Sequence, residues 1–447
     1  MTSATTTVTP LLLAHERTKD EGRSLAISMA RFLLVLILLT APLAFGAVQP
    51  LVWGALFVAA VFLISLWGLA QVQQGRARVL WSPIYVPVAL FLFLGLAQFL
   101  GGLTLDSYAT REVILKLIAD LILFFVSLHI LVSASRTWWR KFGLAITLYA
   151  FALAIFAILQ FFSSGGLIYW VVKTASGCTF GPYVNHNHYA GLMEMLIPIS
   201  AGYVLSRPEG QRGQSLFGFA VLVAIASVLL SGSRGGLISL CAEIAILAAI
   251  LFRYSPVARR RPFAAMVPLG VVAAAVLFFW MDPGHISKRL ATIANIPYKP
   301  EVTLAERMFV SQDSMHIFAD YPWLGTGLGS FEVTYPRYQS FATDLMWDHA
   351  HNDYAEALVE TGLVGGSLIL SAIVLFLWLA FHNFRKRLQH EAGWIQLGAT
   401  LGCCGLLVHS FGDFNFHIPA NAAWFAVCAA IASQSKAVAR TTDILSS

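Results

Sequence analysis

The chain has 447 residues, of which 58% are hydrophobic and only 12% are charged, and its formal net charge is +6. Soluble domains average about 45–50% apolar and about 25% charged residues, so this chain has too few charges to cover a soluble surface of its size. The high apolar content also excludes an intrinsically disordered chain and a collagen-like fibre. A disulfide-stabilised secreted scaffold is excluded because the five cysteines are scattered. It predicts an all-α polytopic membrane protein.

Twelve apolar segments follow one another along the chain, each close to the roughly 20 residues that a helix needs to span a bilayer. The first of them is short and contains Pro42. The predicted spans are residues 32–46, 51–70, 84–102, 113–132, 142–162, 189–205, 216–230, 235–252, 263–281, 362–381, 394–411 and 418–432.

The basic residues predict the orientation. Most of the 29 Lys and Arg residues fall in alternate loops, which are cytoplasmic by the positive-inside rule, and both termini are then cytoplasmic. The positive charge therefore reflects topology rather than nucleic-acid binding, and we expect no cleaved signal peptide because no cleavage-site pattern follows a short apolar core. The predicted order is a cytoplasmic tail (1–31), nine spans (32–281), a large outer loop (282–361), three spans (362–435) and a second cytoplasmic tail (436–447).

The large outer loop exceeds the roughly 12–15 residues usual for a loop without structure of its own, which indicates a function. Apolar residues recur at helical spacing from Leu304 to Phe318, and this helix should end before Pro322. After a glycine-rich turn and an aromatic-rich stretch, Asp348 is the expected N-cap of a short helix over residues 350–361 that Gly362 terminates.

Two arginines on the outer side are candidates for binding an anion. Arg234 lies in a Ser-Gly-Ser-Arg-Gly-Gly sequence between two spans, where an arginine is costly unless it is paired or occupied. Glycines permit a close approach to the backbone, and a guanidinium binds phosphate oxygens with two hydrogen bonds. The alternative is an arginine that extends to lipid headgroups. Arg307, on the helix predicted in the loop, is either a second phosphate ligand or a solvated residue paired with Asp313 or Glu306.

Four charged residues within predicted spans are interpreted as architectural rather than chemical. Lys116 and Asp120 are four residues apart, and we expect them to form an intramembrane ion pair. Glu194 and Glu243 are expected either to pair with arginines or to line a polar cavity.

Two His-x-His sequences lie in outer loops, His186 with His188 and His349 with His351. A neutral imidazole suits general-base work on a sugar hydroxyl, because its pKa lies near neutrality. The four histidines also suggest a zinc or copper site, but no cysteine adjoins them and His-x-His on a helix points to nearly opposite faces, so we expect no metal. For each histidine alone, ordinary hydrogen bonding in a loop is the default interpretation.

These features together resemble the O-antigen ligase and polymerase superfamily. In ligases of that family, a His followed by Asn, Ser or Gln precedes nine residues, a Gly, two residues and then Gly, Thr or Tyr. Here His351 and Asn352 are followed by nine residues, Gly362, two residues and Gly365. Residues 320–327 also resemble the family's stretch before this motif. The resemblance covers about residues 170–430, while the N-terminal third matches only as generic apolar helices.

The resemblance implies a fold of the lipid-dependent glycosyltransferase class, GT-C-like, that needs no metal or other cofactor. The donor would be a glycan on undecaprenyl pyrophosphate, presented at the periplasmic face of the bacterial inner membrane. Arg234 and Arg307 would hold the pyrophosphate as it leaves, and His351 would activate an acceptor hydroxyl that attacks the anomeric carbon with inversion. The other expected substrate-binding residues are Asn352, His349, Asn185, His186 and His188.

Several alternatives to an O-antigen ligase stay open. Polymerases of O-antigen or exopolysaccharide share these features, and the acceptor is lipid A-core, another repeat unit or an exopolysaccharide chain. A protein O-oligosaccharyltransferase is less favoured because no long soluble C-terminal domain follows the last span. A transporter or flippase is the alternative from another class, but the chain concentrates Arg and His on one outer face, which favours chemistry there.

Overall fold

A computed structural model describes residues 24–75, 77–174, 179–207, 213–254, 304–343, 346–382, 388, 390–434 and 442–443. This part of the chain is helical apart from loops and one two-residue antiparallel pair of strands, β1 (Arg78–Val79) and β2 (Thr442–Asp443). The predicted span 263–281 and the first part of the large outer loop lie outside the described residues.

Thirteen α-helices make up the described part of the chain. Three short 3₁₀ helices, Phe45–Ala47, Tyr335–Arg337 and Asn415–His417, connect them. In chain order the α-helices are α1 (Leu25–Thr40), α2 (Pro50–Gln73), α3 (Tyr85–Leu100), α4 (Ser107–Val132), α5 (Arg136–Ser163), α6 (His186–Leu205), α7 (Gln214–Ser231), α8 (Arg234–Tyr254), α9 (Leu304–Asp320), α10 (Phe331–Thr334), α11 (Asp353–Phe381), α12 (Glu391–His409) and α13 (Pro419–Ser433).

The helices agree with the predicted spans in position more than in length. A helix overlaps each predicted span that the structure describes. The first span differs most, because α1 begins at Leu25 and ends before Pro42 instead of continuing through it. By length and composition, seven described helices can cross a membrane, while α1, α3 and α13 are shorter apolar helices. The chain is thus an all-α protein with at least these seven candidate spans, and a total of twelve stays a prediction.

Helices α6 and α12 form the most closely packed pair near the centre of the structure. Gly398 and Gly402 lie four residues apart on α12, so that no side chain separates the two backbones. A Cβ added at Gly398 would overlap the carbonyl oxygen of Pro198, and one at Gly402 would lie 2.7 Å from the Cα of Met195. Small residues at this spacing let membrane helices approach closely.

Helix α11 consists of two segments joined at a kink. Gly362 has φ +60° and ψ −162°, and it separates a polar first segment from the apolar segment that continues to Phe381. The prediction that a short helix ends at Gly362 is therefore confirmed. The predicted N-cap was wrong: the helix begins at Asp353, and the Asn352 side chain, not that of Asp348, accepts hydrogen bonds from the backbone N–H groups of Tyr354 and Ala355.

The helix predicted in the outer loop is confirmed as α9, which ends at Asp320, before Pro322. The ion pair expected between Lys116 and Asp120 was wrong. Lys116 instead pairs with Glu112, with 2.6 Å between its Nζ and the carboxylate, because the glutamate lies one turn earlier on the same face of α4.

Glu194 and Glu243 are both buried in the helix bundle. Glu194 accepts a hydrogen bond from His409 over 2.7 Å, rather than pairing with an arginine. Glu243 lies against Gly405 of α12, where an added Cβ would overlap its carboxylate.

We expect Gly398→Ala to lower the free energy of unfolding by about 1–3 kcal/mol, because the added methyl group must push α6 and α12 apart. Gly218→Ala on α7 is the matched control, since an added Cβ there meets no atom within 4 Å. We expect this substitution to raise the free energy of unfolding by about 0.5–1 kcal/mol, because alanine is favoured over glycine in a helix interior. Thermal unfolding of both variants in one detergent measures the difference. Equal effects from the two substitutions would refute the close packing described here.

Candidate active site

The candidate site is built around the central loop, residues 410–418, which joins α12 to α13. The first segment of α11 is tied to this loop, because the backbone N–H of Asp353 lies 2.9 Å from the carbonyl oxygen of Ser410 and 3.2 Å from that of Asp413. A buried amide on α13 ties the loop to α6: the Asn421 side chain donates to the carbonyl of His188 and to the side chain of Asn415, each over 2.9 Å. The loop is therefore fixed to α6, α11 and α13.

Asp413 is the one carboxylate of the central loop, and it is fully buried. Its Oδ1 lies 3.7 Å from Nε2 of His188 and 3.6 Å from Nδ1 of His351. Burial by itself raises the pKa of the Asp413 carboxyl, but His188, His351 and Arg307 together hold that pKa well below its usual range. Asp413 is thus an anion that faces two imidazoles.

His351 occupies a strained backbone position. Its φ of +49° lies in the left-handed region that residues with a side chain rarely adopt. Its side chain is 11% exposed, and its ring meets the rings of Trp347 and Phe414 edge to face, with centroids 5.5 and 4.9 Å apart. Strain of this kind persists only where the surroundings determine it, and it clusters at functional sites.

Of the two predicted anion-binding arginines, Arg307 contacts the central loop directly, and Arg234 precedes a glycine that packs on the last residue of α12. Arg307 is half-buried on α9, and its Nη1 donates to the carbonyl oxygen of Gly412 over 2.7 Å. It is not paired with Asp313, which accepts hydrogen bonds from the Tyr335 hydroxyl and the backbone of Ser340.

Arg234 is the first residue of α8 and is exposed. It makes no hydrogen bond or ion pair with the part of the chain that the structure describes. The adjacent Gly235 lies so close to the ring of His409 that an added Cβ would overlap it. At the start of α8, Ser233 Oγ accepts a hydrogen bond from the backbone of Gly236 over 3.0 Å.

The residues of the first His-x-His sequence divide between structural and site positions. Asn185 is the N-cap of α6, and its side chain accepts from the backbone of Asn187 over 2.9 Å. His186 is half-buried at the first residue of the helix. His188 is buried, faces Asp413 and packs edge to face on Phe414 with centroids 4.7 Å apart. Of these three, His188 is the one that the structure brings to Asp413.

His349 also packs on Phe414, with its ring stacked on the phenyl ring at a centroid distance of 4.4 Å. Its Nδ1 is 2.7 Å from Oε1 of Glu356. The same carboxylate oxygen is 3.2 Å from Nε2 of His417. We call His349, Glu356 and His417 the histidine cluster. Burial lowers the pKa of His417, but Glu356 and Asp353 outweigh it and raise that pKa to about 10.

A cavity of about 890 Å³ lies between α3, α4, α11 and α13. Most of its wall is apolar, as in Phe91, Leu121 and Ile373, and the histidine cluster lines it as well. Residues that line it do not include His351, Arg234 or Arg307. Phe414 therefore contacts two groups of histidines, namely His188 and His351, which face Asp413, and His349, which lines the cavity.

Sequence reasoning missed Asp413, Glu356 and His417. The available signal was a pair of polar residues, Asp413 and His417, between two apolar spans, in a segment that is costly for charge unless the charge is paired. Glu356 was passed over as part of a helix whose first turn is generally polar.

Residues 219–370, about a third of the chain, match the family model described as O-Antigen ligase. This range contains Arg234, Arg307 and His351, whereas Asp413 and His417 lie beyond it. No curated protein matches the chain. The apolar helices and this match together indicate a multi-pass membrane protein related to glycosyltransferase-like enzymes. The family model thus confirms the resemblance of this chain to the O-antigen ligase and polymerase superfamily.

Proposed function

We propose that this protein transfers a glycan from undecaprenyl pyrophosphate to an acceptor hydroxyl at the periplasmic face of the inner membrane, as an O-antigen ligase does. The observation that carries the proposal is that the end of α12 and the central loop, residues 409–418, contact three segments distant in sequence. Gly235 beside Arg234 packs on His409, Arg307 donates to Gly412, and His351 faces Asp413.

The arginines supply the electrostatic part of the reaction. Negative charge develops on the pyrophosphate oxygen when the bond to the anomeric carbon breaks, and donors held ready at that position lower the barrier. Arg234 is exposed and without a partner in the described part of the chain, so its whole guanidinium is available to phosphate oxygens. Arg307 spends one N–H group on Gly412 and keeps others for the donor.

His351 supplies the base. Its Nδ1 faces the Asp413 carboxylate, which favours the tautomer with the proton on Nδ1 and leaves Nε2 to accept the proton of the acceptor hydroxyl. The acceptor oxygen then bonds to the anomeric carbon, and the electron pair of the broken bond leaves on the pyrophosphate, with inversion. The separation of 3.6 Å is longer than a hydrogen bond, and such contacts tighten when substrate binds. In this proposal the step uses side chains and needs neither metal nor nucleotide.

The other expected substrate-binding residues divide by position. His188 shares Asp413 with His351 and is proposed to bind donor or acceptor on the same side. His349 faces the cavity, where it is proposed to contact the acceptor. Asn185 and Asn352 use their side-chain oxygens as helix caps, so their proposed contribution to substrate binding comes from the remaining amide N–H groups. His186, half-buried at the start of α6, is a further proposed contact to the substrate.

We expect Arg234→Lys to fail as Arg234→Ala does, with about 10²–10³-fold lower kcat, because lysine retains the charge and loses the planar fork. Arg337→Lys, an exposed arginine of the outer loop, is the matched control and should retain full activity. The measurement is release of undecaprenyl pyrophosphate from a lipid-pyrophosphate glycan and an acceptor by purified protein. Absence of release by the wild-type protein with any acceptor would leave a transporter or flippase as the better interpretation.

We expect His351→Ala and Asp413→Asn to reduce transfer by about 10²–10⁴-fold, since both remove the oriented base, while donor binding persists. His349→Ala should have a milder effect, because the His349 ring lines the cavity and contacts Glu356 instead of Asp413. His316→Ala, an exposed histidine of α9, controls for histidine loss in general. Single-turnover transfer and donor binding are measured separately. An active His351→Ala protein beside an inactive His349→Ala protein would move the base to His349.

Ligase and polymerase differ in what a deletion strain accumulates. The pattern of His351, Asn352, Gly362 and Gly365 favours a ligase, and we therefore expect a strain without this gene to accumulate long glycan on its lipid carrier. Gel analysis of the surface polysaccharide and of extracted lipid carriers measures this. Transfer of single repeat units to the final acceptor would instead assign a polymerase and leave the family unchanged. Transfer to a protein would assign an oligosaccharyltransferase.

A further inference from the structure

The histidine cluster brings together three side chains from three separate segments. His349 lies in the loop before α11, Glu356 in the first turn of α11, and His417 in the 3₁₀ helix between α12 and α13. One nitrogen of each histidine and one oxygen of Glu356 all lie within 4.8 Å of one another. Glu356 and His417 have no part in the proposed transfer step, and His349 enters it only as a proposed contact to the acceptor.

We propose that His349, Glu356 and His417 bind a divalent transition-metal ion, for which Zn²⁺ is the best fit. Two imidazoles and one carboxylate form a known zinc ligand set that leaves a fourth position open. Mg²⁺ and Ca²⁺ prefer sites made of oxygen atoms alone, so the two nitrogen ligands argue against them. The proposal departs from the sequence-based expectation of no metal, which considered the four histidines of the His-x-His pairs and not Glu356 or His417.

The distances fit a tetrahedral ion after small movements. Zinc binds nitrogen and carboxylate oxygen at about 2.0–2.2 Å, which puts neighbouring ligand atoms about 3.4 Å apart. The Oε1 of Glu356 is 3.2 Å from the His417 nitrogen and 2.7 Å from the His349 nitrogen. The first separation already suits a shared ion, and the second must widen by less than 1 Å. The two histidine nitrogens lie within 4.8 Å of each other and must approach to about 3.4 Å.

The surrounding groups have the arrangement that orients zinc ligands. The other nitrogen of His417, Nδ1, lies 3.0 Å from the carboxylate of Asp353, which is the carboxylate–histidine pairing that fixes a metal-binding imidazole. The other oxygen of Glu356, Oε2, accepts a hydrogen bond from the backbone N–H of Ala350 over 2.8 Å. Each of these two ligands therefore presents one free atom and has its other atom occupied.

Charge and access also favour a cation. Two carboxylates lie against His417, since Asp353 is 3.0 Å from its Nδ1 and Glu356 is 3.2 Å from its Nε2. The side chains of His349 and His417 are 25% and 23% exposed and line the cavity, so an ion can enter and its fourth position faces the cavity.

A bound ion would connect the two segments that carry the proposed base and its partner. His349 is two residues before His351, and His417 is four residues after Asp413. The ion would thereby hold both segments on α11 without touching the reacting atoms. The proposal goes beyond the proposed function, and metal binding is measurable whether or not transfer is observed.

The test is the metal content of the full-length protein, purified in detergent with a tag that contains no histidine. The protein is stripped with a chelator, incubated with ZnCl₂, desalted and analysed by elemental mass spectrometry and thermal unfolding. We expect one Zn²⁺ per chain, a raised Tm, and with Co²⁺ the visible absorption of a tetrahedral site. Absence of stoichiometric zinc, or no change in Tm, would overturn the proposal.

Variants locate the ion. Glu356→Gln and His417→Gln should lose stoichiometric zinc, and Asp353→Asn should weaken it by about 10–100-fold. If the buried variants do not fold, His349→Gln makes the same test at a partly exposed position. The matched control is His382→Gln, an exposed histidine at the far end of α11, which should bind zinc as the wild-type protein does. Zinc retained by all the cluster variants would place the ion elsewhere and refute the site.

Discussion

The candidate site depends on a buried negative charge in the central loop. A carboxylate without solvent costs several kcal/mol unless cations and hydrogen bonds surround it. Asp413 has one cation nearby, Arg307 from α9, and two imidazoles face it, those of His188 from α6 and of His351 from the loop before α11. Because each partner comes from a different segment, stabilising this one charge assembles the residues proposed to act on the donor and the acceptor.

The close packing of α6 and α12 provides the rigid support for that arrangement. Gly398 and Gly402 let the two backbones approach closely, and this contact fixes the position of the end of α12, where the central loop begins. The Glu194–His409 hydrogen bond joins the same two helices directly below the loop. A change in the separation of α6 and α12 would therefore displace Asp413 relative to His188. The geometry of the candidate site would then be disrupted while the helices remain folded.

Phe414 contacts residues of both proposed sites. Its ring packs against His351, the residue proposed for the proton transfer, and against His349, which belongs to the proposed metal site and lines the apolar cavity. If both proposals hold, the donor chemistry and the placement of the acceptor meet at this ring. The metal would then position the acceptor side, while the arginines carry the charge of the leaving group.

Much of this was predictable from the sequence, because it depends on local patterns. Composition and apolar run length determined an all-α membrane protein, helical periodicity placed α9, and a glycine marked the kink of α11 at Gly362. The His-x-His pairs and two outer arginines singled out Arg234, Arg307 and His351. The choice of partners was decided by the tertiary structure. Asp413 with its two histidines, and Glu356 with His417, join residues tens to hundreds of positions apart. Such pairs leave no periodic signal, since their energy appears only when the helices pack.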